Sequence, residues 1–359
     1  MKSGTVSRIL VVKPSSLGDI LHVFPALQLL RKHFPDAKLD FLINPEFDPL
    51  LDFSPFPVDR RIHFERREMT RLFSGPAEFF KLIRALRCEK YDLVIDFQGL
   101  IRSAFFAWIS RRRPGSVCGF SASREKAARL FYDRRATVKS LHAVAKNVEL
   151  ANFVTGADDD VPDPEISVPE NAALFAGAKS GPRIVIFPGA RWPSKCFPAK
   201  LFADVMCRIK DGADEVGFII SGSAAERQKA AAVIAGLPEN FPVADMTGSS
   251  TLPELFGLIG SADAVLCNDS GPMHIAALLK KPVFSFFGPT DPQKTGPWRQ
   301  DDRVFRSAAV CAPCMHKVCP RSETLCHQID PEVVSSAVLE QIRHKGGLLA
   351  VPSHKESEI

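Results

Sequence analysis

Short apolar, β-branched runs alternate with amphipathic helical stretches along this chain, and no other feature limits its possible folds as strongly. Arg8-Ile9-Leu10-Val11-Val12-Lys13 leads into turn-forming Pro14-Ser15-Ser16, and then Ile20, Leu21, Phe24, Leu27 and Leu30 recur at helical spacing. That order predicts strand, loop and helix. Residues 39–43 read as a second strand, 77–88 as an amphipathic helix, and 93–96 as a buried strand entering Phe97-Gln98-Gly99 and a further helix. The alternation restarts with a strand at 184–187, a helix at 199–209, a strand at 216–220 and helices at 224–234 and 252–259. A strand at 264–267, a helix at 272–279 and a strand at 283–287 follow, and Asp330-Pro331 opens a last helix that reaches residue 344. Strands separated by helices imply parallel, doubly wound sheets.

Between the two series, residues 157–170 hold six acids, three prolines and no base, the composition of a linker. A chain of 359 residues fits two domains of about 150 residues each. The expected division is a first Rossmann-like domain over 1–156, a linker over 157–181, a second such domain over 182–345 and a tail over 346–359. Two such domains facing a cleft would put ligands at the carboxyl ends of both sheets. Hydrophobic residues at 45% and charged residues at 24% exclude wholesale disorder and fibrous architecture. No apolar run approaches the roughly 18 residues that cross a bilayer, so a cytosolic protein without signal peptide or spanning helix is expected. Of nine cysteines, five stand singly at 88, 118, 196, 207 and 267, which disfavours a secreted disulfide scaffold.

Charge is uneven. The net charge is +5, yet residues 102–146 hold eleven bases against Glu125 and Asp133. Upstream, Arg60, Arg61, Arg66, Arg67 and Arg71 accompany Asp59, Glu65 and Glu68. A solvated surface explains Arg111-Arg112-Arg113 alone, whereas two clusters in one half favour an anionic partner: phosphorylated lipid, acidic sugar or nucleic acid. Without an RNA-binding or helix-turn-helix signature, nucleic acid is the minor option.

The loops after the strands carry the polar residues. Ser15-Ser16-Leu17-Gly18-Asp19 joins a strand to a helix. Ser16 or Asp19 would serve there as a helix cap, and an acid at a sheet's carboxyl edge can also act as a general base. Neither G-x-G-x-x-G nor a P-loop pattern is present at this turn. In the second half, Phe187-Pro188-Gly189-Ala190-Arg191-Trp192-Pro193-Ser194-Lys195 combines a flexible glycine with two cations, a loop able to wrap phosphates. Cys267-Asn268-Asp269-Ser270-Gly271-Pro272-Met273-His274 joins a strand to a helix start that offers free N–H groups to an anion. Asp269 or Ser270 as a plain cap is the competing reading. Phe287-Gly288-Pro289-Thr290-Asp291-Pro292 closes another strand.

The set SSLGD, DFQGL with Arg102-Ser103-Ala104, PGARWPSK, NDSGPMH and FGPTDP resembles the bacterial heptosyltransferase family, which builds the lipopolysaccharide inner core from ADP-heptose. The resemblance covers most of residues 8–345. It implies a GT-B fold, donor bound by the second domain and acceptor by the first, and inverting transfer without a metal ion or cofactor. Asp19 matches the family's general base and Lys195 the cation that neutralises the donor diphosphate. Asp269 and Gly271 match positions at the heptose and the phosphate, with Ser270 and His274 beside them, and Gly189, Ala190 and Arg191 form the phosphate loop. Glu226 matches a ribose-binding acid, with an exposed helix glutamate as its plain alternative, and Ser250 and Thr251 lie where adenine would rest. Some members have paired threonines where this chain has Ala190 and Arg191, so phosphate contacts there are expected to differ. The implied acceptor is Kdo-lipid A at the inner leaflet. Ser15, Ser16, Gly18, Gln98, Arg60, Arg61, Arg66, Arg67 and Arg102 are the acceptor-side candidates, and peripheral membrane contact is expected.

Cys311, Cys314, Cys319 and Cys326, with His316 and His327 interleaved, form an insert over 311–326. Structural zinc, disulfides or reduced thiols all fit that spacing, and the insert is expected to lie outside the active site. Within the family, SSLGDILH and DFQGL look more like the enzyme adding the first heptose than the one adding the second. A nucleotide-sugar-binding protein without catalysis, a nucleic-acid binder and a nucleotide-sugar epimerase are the rival classes.

Overall fold

The computed structural model describes residues 6–54, 57–64, 76–112, 114, 116–164, 166, 181–321 and 323–345. Arg66, Arg67, Arg71 and Arg113, most of the expected linker (165 and 167–180) and the tail over 346–359 lie outside the described residues. The chain divides into two compact units, one built on residues 1–169 and the other on 170–292 and 296–359.

The first unit is a six-stranded sheet of β1 (Arg8–Val12), β2 (Lys38–Ile43), β3 (Arg60–His63), β4 (Leu93–Asp96), β5 (Val117–Phe120) and β6 (Arg134–Ala136). The strand order is β3-β2-β1-β4-β5-β6 and every pairing is parallel. Its helices are α1 (Leu17–Leu21), α2 (Phe24–His33), α3 (Pro76–Glu89), α4 (Ile101–Ser110) and α5 (Ala143–Thr155). Strand β1 reads as a continuous apolar run because it is covered on both faces. Leu10 and Val12 enter one core with Leu82 and Leu86 of α3 and Phe106 of α4, and Ile9 and Val11 alternate to the opposite face, where they are equally buried.

The second unit repeats the plan with β7 (Arg183–Phe187), α6 (Ala199–Gly212), β8 (Gly217–Ile220), α7 (Arg227–Ile234), β9 (Val243–Asp245) and α8 (Leu252–Gly260). It continues with β10 (Ala264–Asn268), α9 (Gly271–Leu278), β11 (Val283–Phe287), β12 (Val304–Arg306) and α10 (Pro331–Lys345). The order β12-β11-β10-β7-β8-β9 is that of the first sheet read from its other edge. Asp330 opens α10, its carboxylate accepting the Glu332 N–H at 2.9 Å. Two doubly wound parallel sheets constitute the α/β, GT-B-like class that the alternation and the resemblance imply. Among the described residues no helix is long and apolar enough to cross a membrane.

Several elements depart from the sequence expectation. The basic stretch at Arg60-Arg61 is the edge strand β3, and the helix expected over 224–234 is a 3-10 turn at Ala224–Glu226 followed by α7. β5, β6, β9, β12 and α5 had no counterpart in the sequence reading.

Gly119 on β5 shows how tightly the first core is fitted. A Cβ there would fall 2.4 Å from the Tyr132 ring, and Tyr132 is buried with its hydroxyl donating to Asp96 at 2.6 Å. Gly119→Ala should displace the ring and lower unfolding free energy by about 1–3 kcal/mol. Urea denaturation checks this, and an unchanged midpoint would show that the ring moves without penalty.

Candidate functional site

In each sheet the winding direction reverses once, between β1 and β4 in the first and between β7 and β10 in the second. The carboxyl ends of strands at such a point diverge and leave a crevice, the usual ligand position in doubly wound sheets.

At the first reversal, the loop after β1 and the loop after β4 meet. The Ser15 N–H donates to Gln98 Oε1 at 3.4 Å, and the Lys13 ammonium, itself buried, donates to the Phe97 carbonyl at 2.8 Å. Asp19 lies in α1 and accepts from both the backbone N–H and the hydroxyl of Ser16, at 3.1 and 2.9 Å. The capping role weighed from sequence is therefore real, and it leaves the other carboxylate oxygen outside these bonds. Burial alone would push the Asp19 carboxyl up, but Lys13, His22 and the two Ser16 bonds outweigh it and hold the group at about 2. Burial in turn lowers the Lys13 ammonium, opposed by Asp19 and Asp96. Asp19 thus stays ionised at neutral pH.

Arg102 sits in the first turn of α4, partly buried. Arg60 pairs with Glu89 and Arg61 with Asp48 and Asp52, so both spend their charge on acids of their own unit.

At the second reversal, three loops converge on one carboxylate. Asp269, 4% exposed, receives the Lys195 ammonium at 2.6 Å and the Thr290 hydroxyl at 2.5 Å. Lys195 also lies 4.8 Å from the centre of the Trp192 ring, a second stabiliser of its charge. Asn268, buried at the end of β10, donates to the Pro188 carbonyl at 2.8 Å and accepts from the Phe197 N–H at 3.3 Å, which ties both ends of the Lys195 loop to β10. Gly189 is required by close approach: a Cβ there would meet Glu226 Oε1 at 1.9 Å. Glu226 accepts from the Ser223 N–H and hydroxyl, so it caps its own turn while lying against the phosphate-type loop.

The Ala190 carbonyl takes the Lys229 ammonium at 3.3 Å, and Arg191 projects into solvent. Ser270 stands at the N-cap position of α9 but its hydroxyl makes no capping hydrogen bond; Gly271 opens the helix, which also carries His274. Thr251 caps α8 through the Glu254 N–H; no contact joins Ser250 or Thr251 to the Lys195 group among the described residues.

The cysteine-rich segment, expected to lie outside the active site, reaches two of these loops. Ser194, next to Lys195, gives its N–H to the Lys317 carbonyl at 3.2 Å and its hydroxyl to the His316 carbonyl at 2.6 Å. Its own carbonyl meets His327 Nε2 at 2.8 Å. A carbonyl only accepts, so that nitrogen carries the proton. The His327 ring stacks on Phe197 at 4.2 Å, and burial lowers its pKa against the pull of the Ser194 bond. Met315 N–H donates to the Pro289 carbonyl at 2.8 Å, reaching the Thr290 loop as well. The segment is thus a clasp on two of the three converging loops. All nine cysteines are free thiols. Burial, reinforced by the nearby Cys311, Cys314 and Cys319, raises the Cys326 thiol, and among the described residues no His, Cys, Asp or Glu cluster could hold a metal ion.

Lys13, Thr290, Asn268, Ser194 and His327 were absent from the sequence-based candidates. Thr290, Asn268 and Ser194 lay within the motifs of the resemblance and His327 beside the clustered cysteines; Lys13 had the signal of a charge ending a buried strand.

Lys13→Met should raise the Asp19 carboxyl by roughly one to two pH units, read from its carboxyl carbon shift in an acid titration. Because the folded value lies below the ordinary one, this group stabilises the fold above its unfolded value of about 4 and loses that contribution as pH falls toward about 2. The variant should lose less stability over that window. His327→Ala should remove the bond at the Ser194 carbonyl and speed hydrogen exchange in the 192–196 backbone by roughly fivefold, about 1 kcal/mol of local stability; unchanged exchange would mean that the clasp does not restrain the loop.

The sequence matches glycosyltransferase family 9 (heptosyltransferase) over residues 79–325. It is 31% identical over 324 residues to lipopolysaccharide heptosyltransferase 1 of Pseudomonas aeruginosa, covering 88% of each chain. It is 27% identical to lipooligosaccharide heptosyltransferase 2 of Campylobacter jejuni, over 94% of this chain and 98% of the relative. The solved structure of E. coli heptosyltransferase WaaC with ADP matches with a TM-score of 0.74 at 25% identity, over 93% of this chain and 99% of that one. A match across most of the sequence and a relative at 31% identity over nearly its full length place this chain in glycosyltransferase family 9 (heptosyltransferase).

Proposed function

We propose that this protein is an inverting heptosyltransferase that moves heptose from ADP-heptose to the Kdo residue of a lipid A acceptor, working peripherally at the cytoplasmic face of the inner membrane. The observation that carries the reading is the partly exposed Lys195 ammonium, held at 2.6 Å from the buried Asp269 carboxylate where three strand-end loops meet. In this reading the second unit binds the donor. Lys195 and the N–H groups at the start of α9 receive the diphosphate as its charge grows on departure, so they stabilise the transition state more than the ground state. These groups of the chain, rather than a divalent ion, carry that charge.

Asp19 of the first unit is the general base. A carboxylate held at about 2 is a weak base toward a resting hydroxyl. It becomes adequate late in the reaction, once the attacking oxygen has bonded to an oxocarbenium-like anomeric carbon and its proton has turned acidic. Attack from the face opposite the leaving ADP inverts the anomeric centre. Ser15, Ser16, Gly18, Gln98 and Arg102 surround the acceptor sugar in this reading, while the ion pairs of Arg60 and Arg61 argue for a structural part for those two. The relatives include first, second and third heptosyltransferases, and the higher identity to the first supports Kdo as the acceptor sugar.

ADP release measured with Kdo-lipid A and, separately, with its heptosylated product tests this. Turnover only with Kdo-lipid A is expected; turnover only with the heptosylated product would make the protein the second transferase, and turnover with neither would make it a binding protein. Asp19→Asn should keep near-normal ADP-heptose affinity and lose 10²- to 10⁴-fold, to order of magnitude, in kcat. Lys195→Ala should damage both KM and kcat. Wild-type turnover by Asp19→Asn would remove the base assignment.

A further inference from the structure

We propose that the outer surface of α4 and the turn over residues 126–131 docks on an anionic lipid bilayer. α4 turns Ala104, Phe106 and Ala107 into the core, as an amphipathic helix should, but its solvent side is apolar too. Ile101 is 42% and Trp108 40% exposed, and Phe105 between them is partly exposed. Their spacing places all three on one stripe. Phe131 extends that stripe sideways, its ring edge-on to Phe105 at 6.2 Å and to Trp108 at 6.3 Å. Leu130 beside it is 79% exposed, and Phe80, on the neighbouring α3, is 62% exposed. Single exposed apolar residues are ordinary; a set joined by the ring contacts of Phe105, Trp108 and Phe131, with Ile101 on the same stripe and Leu130 next in the chain, marks an interaction surface.

The rim decides the partner. Arg102, Arg111, Arg112, Lys126 and Arg129 border the patch, and the Arg111 guanidinium lies 4.9 Å over the Trp108 ring. Arg111 pairs with Asp133 and Arg112 with Asp92, but no acid among the described residues pairs with Arg102, Lys126 or Arg129. The same window, residues 102–146, carries eleven bases against two acids. Aromatic and aliphatic side chains beside five bases, three of them without an acidic partner among the described residues, match a surface with an apolar interior and anionic headgroups.

The surface is also continuous with the first reversal, because α4 begins directly after the Gln98 loop. An acceptor with its acyl chains in the bilayer would then offer its sugar to that loop without leaving the membrane. This last step rests on the proposed lipid-linked acceptor.

Sedimentation of the full-length protein with phosphatidylcholine vesicles, with and without a phosphatidylglycerol fraction, tests the docking. Binding is expected only with the anionic lipid, weakened by salt, together with a blue shift of tryptophan emission that Trp108→Phe abolishes. Trp108→Ser with Leu130→Ser should reduce vesicle binding roughly tenfold or more, and Lys126→Gln with Arg129→Gln should weaken it on anionic vesicles. Both pairs should keep the wild-type melting temperature and wild-type turnover of a deacylated, water-soluble acceptor. Absence of wild-type binding, binding untouched by these variants, or a dimer in solution that Leu130→Ser dissociates would each overturn the proposal. Vesicle binding without any heptose transfer would refute the proposed function and leave the docking surface standing.

Discussion

A parallel strand covered by helices on both faces has no room for a polar side chain until its last residues, and any polar group placed there must be fully partnered. This constraint builds both loop clusters. Asp96, wholly buried at the end of β4, accepts from Tyr132, Ser103 and the N–H groups of Gln98 and Gly99. Burial pushes its carboxyl up and those four donors pull it back. One side chain thereby fixes the Gln98 loop, the first turn of α4 and the ring that fills the space left by Gly119. Asn268 does the same for the second unit, bonding residues 188 and 197 on either side of Lys195. The loops that meet ligand in the proposed reaction are therefore held from beneath, and their own polar groups are left for chemistry.

The two clusters solve the charge problem differently. Asp19 keeps its charge because a buried lysine, His22 and two hydrogen bonds from Ser16 together outweigh the penalty of burial. Lys195 pairs directly with a buried carboxylate, and removing the cation would leave that buried group without its counter-charge. Thr290 shares the same Asp269 oxygen, so the cation, its counter-charge and the third loop move as one unit. An incoming diphosphate would meet a cation whose position is already set, which is what preorganised stabilisation requires.

Much of this was legible in sequence because it follows from period. β1, β4, β7, β10 and β11 are apolar runs with turn residues after them, and the chemistry-bearing loops were found by looking where such runs end. The missed strands are those whose environment, not composition, makes them strands. β3 begins Arg60-Arg61 and β6 begins Arg134-Arg135, edge positions where one face is solvated and charge is tolerated. Arg60 and Arg61 were read as free positive charge because their acids, Glu89, Asp48 and Asp52, are distant in sequence or belong to an irregular turn. Lys13 was taken as the end of a strand, since only the folded chain shows Phe97 and Asp19 around its ammonium.

The bracing contacts of the cysteine-rich segment were illegible for a related reason. Its four thiols invite a reading in terms of side-chain chemistry, yet the contacts that reach the Lys195 and Thr290 loops are mostly backbone: the carbonyls of His316 and Lys317 and the N–H of Met315. Backbone groups leave no trace in residue type. Met315 holds φ at 59°, a left-handed conformation that a side-chain-bearing residue adopts at a cost, and its N–H is the one bonded to Pro289. His327 is the exception, the one side chain whose hydrogen bond and ring stacking both serve the loop. A segment that works through its path can vary its side chains widely and still brace the same carbonyl and amide, so long as the turn that presents them is kept.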